Sequence, residues 1–167
     1  MIIRKSTIED LDRLMPIFDE ARKTIAMLGI DQWQNGYPSP HVIREDIALN
    51  RSYLVELGDE VCATFVLVDD GEPTYDKIYE GEWLKNEEYV AIHRVAISVK
   101  NRGTGISTAI MGYARNYALS LDRRSLRIDT HQGNKVMRRM LEKHGFTHQG
   151  TIYLESGDKR VAYEKIF

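Results

Sequence analysis

The stretch "VKNRGTGIST" (residues 99–108) follows an apolar run, "YVAIHRVAIS" (89–98), and precedes a run with helical spacing, "TAIMGYARNYAL" (108–119). It contains two glycines and two cations at the point where a predicted strand gives way to a predicted helix. Glycine lets the backbone turn sharply and approach a ligand without a side chain in the way. The amides at a helix start carry partial positive charge and favour phosphate groups. The stretch therefore predicts a strand–loop–helix unit whose loop binds a diphosphate.

Two better-known phosphate-binding motifs do not fit this loop. A P-loop requires Lys followed by Ser or Thr after its last glycine, but Ile106 and Ser107 follow Gly105. A dinucleotide fingerprint requires a third glycine in a first βαβ unit, but Thr108 occupies that position late in the chain. A tight turn that binds nothing stays open as an alternative. Capture of a diphosphate accounts for the glycines and the cations together.

Bulk composition predicts one globular domain over residues 1–167. Hydrophobic residues make up 43% and charged residues 29%, and the net charge of −2 creates no field that would attract nucleic acid or a membrane. The single cysteine, Cys62, excludes a disulfide framework. The opening "MIIRKSTIEDL" has no apolar stretch of the kind that signal peptides contain. We expect a cytoplasmic protein.

Residue spacing predicts the element order β-α-α-β-β-β-α-β-α-β-β. Thr7 begins the first helix with a capping box, and Ser39 begins the second with Pro40 at its first position. Strand–helix–strand units at 89–130 and 126–153 require some parallel pairing, whereas the hairpins require antiparallel pairing. The polar, acidic segment 69–88 is interpreted as a long excursion outside the core. The fold class is α/β (α+β), with a mixed, largely antiparallel sheet flanked by helices.

Four segments in order resemble the GNAT superfamily of acyl-CoA-dependent N-acyltransferases. The loop "KNRGTG" (100–105) is similar to that family's Q/R-x-x-G-x-G/A motif, with Lys at the first position and Ser107 where Gly is common. The other three segments are "MIIRKSTIEDLDRLMPIF" (1–18), "LRIDTHQGNKVMRRMLEKHGF" (126–146) and "THQGTIYLESGDKRVAYEKIF" (147–167). The resemblance covers nearly the whole chain.

This resemblance implies a sheet of six or seven strands whose splayed central strands hold acetyl-CoA (coenzyme A). The pantetheine arm would bond to strand backbone, and the diphosphate to the loop. The residues expected to bind the cofactor are Val95, Ala96, Ile97, Lys100, Arg102, Gly103, Thr104, Gly105, Ile106, Ser107 and Asn134. Asn134 would cap its helix, bond the pantetheine arm, or do both.

The reaction implied is transfer of an acetyl group to a primary amine by direct attack. His93, on the strand before the loop, is the candidate base, and strand alternation places it on the face of Val95 and Ile97, opposite Arg94 and Ala96. The family's usual acidic tyrosine is replaced by Leu141. His131 and Tyr153 are the candidate proton donors; the alternative for His131 is a solvent-facing polar residue at a strand end, and that for Tyr153 is a packing role.

The acceptor amine is not identified by the sequence. The loop "IDQWQNGYP" (30–38) resembles the family's acceptor region, so Trp33 and Tyr37 are the expected substrate-binding residues, with a simple helix-connecting loop as the alternative. Histidine spacing predicts no metal site. We expect a small-molecule or peptide amine as partner, and no nucleic acid or membrane; the resemblance also allows a homodimer. A non-catalytic acyl-CoA-binding sensor is the alternative function.

Overall fold

The computed structural model describes residues 1–167 and contains seven strands and four α-helices. The strands are β1 (Ile2–Lys5), β2 (Ser52–Leu57), β3 (Glu60–Val68), β4 (Val90–Ile97), β5 (Ser125–Thr130), β6 (Thr147–Tyr153) and β7 (Lys159–Ile166). The helices are α1 (Leu11–Ala26), α2 (Pro40–Ala48), α3 (Ile106–Ser120) and α4 (Lys135–Lys143). This order confirms the predicted succession of elements. None of the helices is both long and apolar enough to cross a membrane.

The strands form one mixed sheet in the order β1-β2-β3-β4-β5-β7-β6. Strands β4 and β5 pair in parallel through Val90 with Leu126 and Ala91 with Arg127. The first predicted strand–helix–strand unit therefore makes a parallel pair. The second does not, because β7 lies between β5 and β6 and pairs antiparallel with both. A sheet of this kind, flanked by helices, confirms the predicted α/β fold class.

Residue contacts divide the chain into two compact units. The first unit contains Met1–Leu67 and Arg94–Ile110, and the second contains Val68–His93 and Met111–Phe167. Boundaries fall inside β4, between His93 and Arg94, and inside α3. The candidate diphosphate loop lies wholly in the first unit.

The first unit is built on the apolar face of α1. Leu14, Ile17 and Phe18 recur at helical spacing and are buried in a cluster that also contains Ile43 of α2 and Leu54 of β2. Buried side chains of this size each contribute roughly 1.5–3 kcal/mol through removal of apolar surface from water. This cluster fixes α1 and α2 as the support for the segment between them.

The second unit buries part of the segment 69–88, contrary to the sequence-based interpretation. Tyr75 is 1% exposed, and the Trp83 indole N–H donates to the Tyr75 carbonyl oxygen at 2.9 Å. The guanidinium of Arg127 lies 4.2 Å from the Trp83 ring centroid and 4.1 Å from that of Tyr89. Tyr75, Trp83 and Tyr89 therefore hold this acidic segment against β5, while much of the rest of it remains exposed.

Candidate active site

The loop after β4 is held in shape by its own backbone and by short polar side chains. The Ser98 amide donates to the Cys62 carbonyl oxygen at 2.8 Å, and a 3₁₀ turn follows at Val99–Asn101. The side-chain amide of Asn101 donates from Nδ2 to Ser98 Oγ at 2.8 Å, and the Thr104 hydroxyl donates to the backbone carbonyl oxygen of Asn101 at 2.6 Å. The loop is therefore largely pre-formed.

Both glycines of the loop adopt a conformation that other residues rarely adopt. Gly103 has φ of +78° and Gly105 has φ of +88°. A Cβ atom at either position would meet no atom within 4 Å, so the backbone here faces open space. The Ala109 amide donates to the Gly105 carbonyl oxygen at 3.0 Å, and the amides of the first turn before it have no acceptor within the helix. Open backbone at a helix start suits a diphosphate.

The two cations of the loop are exposed and have carboxylate or hydroxyl partners. Lys100 Nζ lies 2.7 Å from Glu60 Oε1, and this contact raises the pKa of Lys100. Arg102 Nη2 donates to Thr24 Oγ1 at 3.1 Å. Exposed contacts of this kind are weak and easily exchanged. Both cations can therefore turn to a phosphate at little cost.

Arg94 interrupts β4 immediately after His93. Its φ of +52° lies in the left-handed region, so the backbone does not alternate regularly here. The prediction that His93 shares a face with Val95 and Ile97, opposite Arg94 and Ala96, assumes an uninterrupted extended strand, and Arg94 does not meet that assumption.

A buried ion pair holds Arg94 in this conformation. Its Nε and Nη2 atoms donate to the two carboxylate oxygens of Asp46 at 2.7 and 2.6 Å, and Nη1 donates to the Tyr37 hydroxyl at 2.6 Å. The Asp46 side chain is only 5% exposed and that of Arg94 17%. Neither residue was singled out from the sequence. For Asp46 the sequence did contain an indication, because this charged residue comes three positions after Ile43 and so lies on the apolar face of α2.

The predicted substrate-binding residues, Trp33 and Tyr37, lie together in the segment between α1 and α2. Their ring centroids are 6.4 Å apart in an edge-to-face arrangement, and Trp33 packs in the same way on Phe18 at 6.0 Å. Trp33 is partly buried against the core cluster of the first unit. The segment is therefore fixed at one end by the core and at the other by Arg94.

His93, the predicted base, has an acidic partner in the second unit. Its buried Nε2 lies 2.9 Å from Glu72 Oε2, a short contact that is not a well-formed hydrogen bond. The Tyr75 ring lies beside the imidazole, with centroids 5.8 Å apart, and the Tyr75 hydroxyl donates to Asp129 Oδ1 at 2.6 Å. Glu72 is 21 positions from His93, so no local spacing indicated this contact.

The charges of this cluster are set by burial and by hydrogen bonds. Burial alone would raise the pKa of Glu72, but the close contact with His93, with further bonds from Thr74, lowers it to about 2. Burial, with the nearby Asp129 carboxylate, raises the pKa of Tyr75 well above its usual value. At neutral pH Glu72 is therefore an anion and Tyr75 a neutral donor.

The remaining candidates lie at several places in the second unit. His131 Nδ1 accepts the Gly133 amide at 2.9 Å, so the neutral ring carries its proton on Nε2. Asn134 Oδ1 accepts the Met137 amide at 3.1 Å, which gives it the helix-capping role. Leu141 is completely buried. Tyr153 is 42% exposed, with its ring 5.2 Å from that of Tyr79.

The chain matches the model of the Acetyltransferase (GNAT) family over residues 14–146. Among solved structures, an acetyltransferase of the GNAT family from Streptococcus agalactiae is 34% identical, with 99% of this chain and 95% of that chain covered and a TM-score of 0.89. A second solved structure, described as a putative acetyltransferase from Staphylococcus aureus, is 24% identical, with 99% of each chain covered and a TM-score of 0.74. Comparison with curated proteins gives no match. The family model spans most of the chain, and on this basis the chain belongs to the GNAT acetyltransferase family.

Proposed function

We propose that this protein transfers an acetyl group from acetyl-CoA to the primary amine of a small molecule or peptide. The observation that carries the proposal is the loop after β4, where Gly103 and Gly105 expose the backbone at the start of α3. Family membership supplies the reaction class, acyl transfer. The acceptor is unidentified, and neither of the two acetyltransferases compared above is described with one.

The loop residues fit the diphosphate of coenzyme A. A Cβ atom at Gly103 or Gly105 would have no neighbour within 4 Å, which leaves room for a phosphate oxygen beside the backbone. The backbone amides of Thr104, Ile106 and their neighbours, with the hydroxyl of Ser107, are the donors proposed to bind it. Lys100 and Arg102 would add charge by exchanging their present partners for phosphate.

The last residues of β4 are proposed to bind the pantetheine arm. Val95, Ala96 and Ile97 present backbone N–H and C=O groups, and a ligand can pair with such groups as an additional strand does. The Asn134 side chain caps α4. We propose that it also contacts the pantetheine arm.

Direct attack needs few groups from the protein. Coenzyme A supplies an activated acetyl thioester when it is bound. The amine nitrogen forms a bond to the carbonyl carbon, the carbon–sulfur bond breaks, and sulfur leaves with the electron pair. His93 takes the proton that the amine nitrogen loses. Proximity of the two substrates can supply much of the rate, about 7–11 kcal/mol at best.

Protonation of the departing thiolate has two candidate donors. Leu141 stands at the family's tyrosine position and has no proton to give. His131 presents an Nε2–H because its Nδ1 accepts a backbone amide. Tyr153 presents an exposed hydroxyl. Loss of free-thiol release in His131→Gln but not in Tyr153→Phe would assign the role to His131, and the reverse would assign it to Tyr153.

Trp33 and Tyr37 are proposed to line the acceptor site. The segment that carries them is fixed by Phe18 and Arg94, so its rings are pre-oriented. Rigid aromatic rings offer an apolar wall at low entropic cost.

A panel of primary amines, incubated with acetyl-CoA and assayed for free thiol, tests the proposal. Amine-dependent thiol release is the expected result. The buried Leu141 in place of a tyrosine favours a second candidate, a non-catalytic acyl-CoA-binding sensor. Binding of acetyl-CoA without turnover on any amine would support the sensor and contradict the enzyme.

A further inference from the structure

We propose that Glu72 is a positioning residue that keeps the His93 proton on Nε2, so that Nδ1 is the atom that accepts the proton of the acceptor amine. This inference rests on the proposed function, because it assigns His93 a step in acetyl transfer. From the sequence, Glu72 is one of several acidic residues of segment 69–88 that could attract a cationic amine or simply face solvent, and the family resemblance assigned it no role.

Glu72 is held firmly enough to orient a partner. Its Oε1 accepts the Thr74 amide at 3.3 Å and the Thr74 hydroxyl at 3.0 Å, and its own amide donates to the Tyr89 hydroxyl at 3.1 Å. Its second oxygen, Oε2, is left facing His93 Nε2 at 2.9 Å. Side chain and backbone are therefore both fixed, and the position of Oε2 is set before any substrate arrives.

The charge of Glu72 decides which ring nitrogen carries the proton. An ionised carboxylate only accepts hydrogen bonds, and a neutral imidazole has a single N–H. The favourable arrangement puts that N–H on Nε2, beside the carboxylate. Nδ1 then keeps its lone pair, because the contact with Glu72 uses Nε2 and the contact with Tyr75 is between the two rings.

The other titratable groups around His93 do not compete for this proton. Tyr75, packed beside the imidazole, donates its hydroxyl proton to Asp129 and remains neutral. The Tyr89 hydroxyl interacts with the Glu72 backbone, and burial raises the pKa of Tyr89 as well. Glu72 is the anion that faces the imidazole.

The proton step balances without any further reactant. The attacking nitrogen forms its bond to the carbonyl carbon and gives one proton to Nδ1 of His93. The thiolate leaves with the electrons of the carbon–sulfur bond. The imidazolium, stabilised by the Glu72 carboxylate at Nε2, then loses the proton to water, which restores the starting state.

Long-range ¹H–¹⁵N NMR of the histidine rings tests the proton's position without requiring turnover. His93→Gln assigns the His93 signal. In the wild-type protein at alkaline pH, we expect the Nε2–H tautomer. Glu72→Gln keeps an amide oxygen for the Thr74 cap and turns its N–H₂ toward His93, so the ring proton should move to Nδ1. Glu82→Gln, an exposed carboxylate of the same segment, should change nothing. An Nδ1–H tautomer in the wild type, or an unchanged tautomer in Glu72→Gln, would overturn the proposal.

Steady-state kinetics with an amine that the enzyme acetylates provide a second test of the role of Glu72. Glu72→Gln should lower kcat/KM for the amine by about 10²-fold or more, as expected when a general base is lost, with little change in the KM for acetyl-CoA. Glu72→Asp should restore part of the rate, and Glu82→Gln should match the wild type. Turnover that is insensitive to Glu72→Gln would refute the role of Glu72. The expected tautomers with no turnover on any amine would instead support the positioning and count against the proposed function.

Discussion

Replacing Asp46 with alanine should destabilise the first unit strongly. The Arg94 guanidinium makes two hydrogen bonds to this carboxylate, and the two side chains are 17% and 5% exposed. Removing the carboxylate leaves a largely buried cation that has only the Tyr37 hydroxyl as a partner. Breaking a buried pair from one side costs about 3–5 kcal/mol. For a chain of this length that corresponds to a fall in Tm of roughly 6–20 °C.

Urea unfolding followed by circular dichroism measures this cost, with the slope m checked for constancy. Glu45→Ala is the matched control, because Glu45 lies on the same helix with a side chain that is 61% exposed and a surface contact to His41. It should cost a few tenths of a kcal/mol. A loss of stability in Asp46→Ala no larger than that of Glu45→Ala would refute the reasoning that the Arg94–Asp46 pair holds β4 and the Tyr37 segment.

Three further changes follow from particular contacts. Arg4 donates to Asp10 and lowers the pKa of that carboxyl. The ionised carboxylate therefore stabilises the folded state fully above about pH 4, and this stabilisation is lost as the pH falls. The free energy of unfolding, measured from pH 6 to 2, should depend less on pH in Asp10→Asn than in the wild type. Asn134→Ala removes a helix cap and should cost about 1 kcal/mol in thermal unfolding; no change in Tm would contradict the cap. Glu60→Gln removes the carboxylate that binds Lys100 and should tighten coenzyme A binding severalfold at low salt. Calorimetry should find this gain much reduced at high salt, because salt screens the charges.

Most of the fold could be predicted from the sequence because its signals are local. Ser39 accepts the Val42 amide and begins α2 with Pro40 at its first position, as the residue types predicted. The capping box of Thr7 and Asp10 is present, although it begins a 3₁₀ turn that leads into α1. Caps and turns depend on neighbours in the chain, so spacing alone identifies them.

The parts that could not be predicted depend on contacts between distant residues. An arginine at positive φ has no signature in the sequence, and Arg94 adopts it because Asp46, 48 positions away, binds its guanidinium. The burial of Tyr75 likewise depends on Asp129, which comes from another strand. In both cases the partner lies outside any local window of the sequence, so no spacing pattern indicates the contact.

The candidate site was predicted unevenly for the same reason. The loop glycines could be found because their chemistry is concentrated in six consecutive residues. His93 could be predicted as the base from its position on the strand before the loop. Glu72, the residue proposed to orient it, lies in a segment that was interpreted as an excursion outside the core. Tyr153, His131 and the two aromatic residues of the acceptor segment stay predictions, since their roles require a bound substrate.

Calorimetric titration of coenzyme A into Gly103→Trp tests the central claim, that the backbone around Gly103 binds the diphosphate. Gly157→Trp is the matched control, because Gly157 also has positive φ and open space at its Cβ position, in the turn between β6 and β7. The strain of a side chain at positive φ is therefore shared by the two variants. The account predicts that Gly103→Trp remains folded but loses binding, while Gly157→Trp binds as the wild type does. Wild-type affinity in folded Gly103→Trp would contradict it.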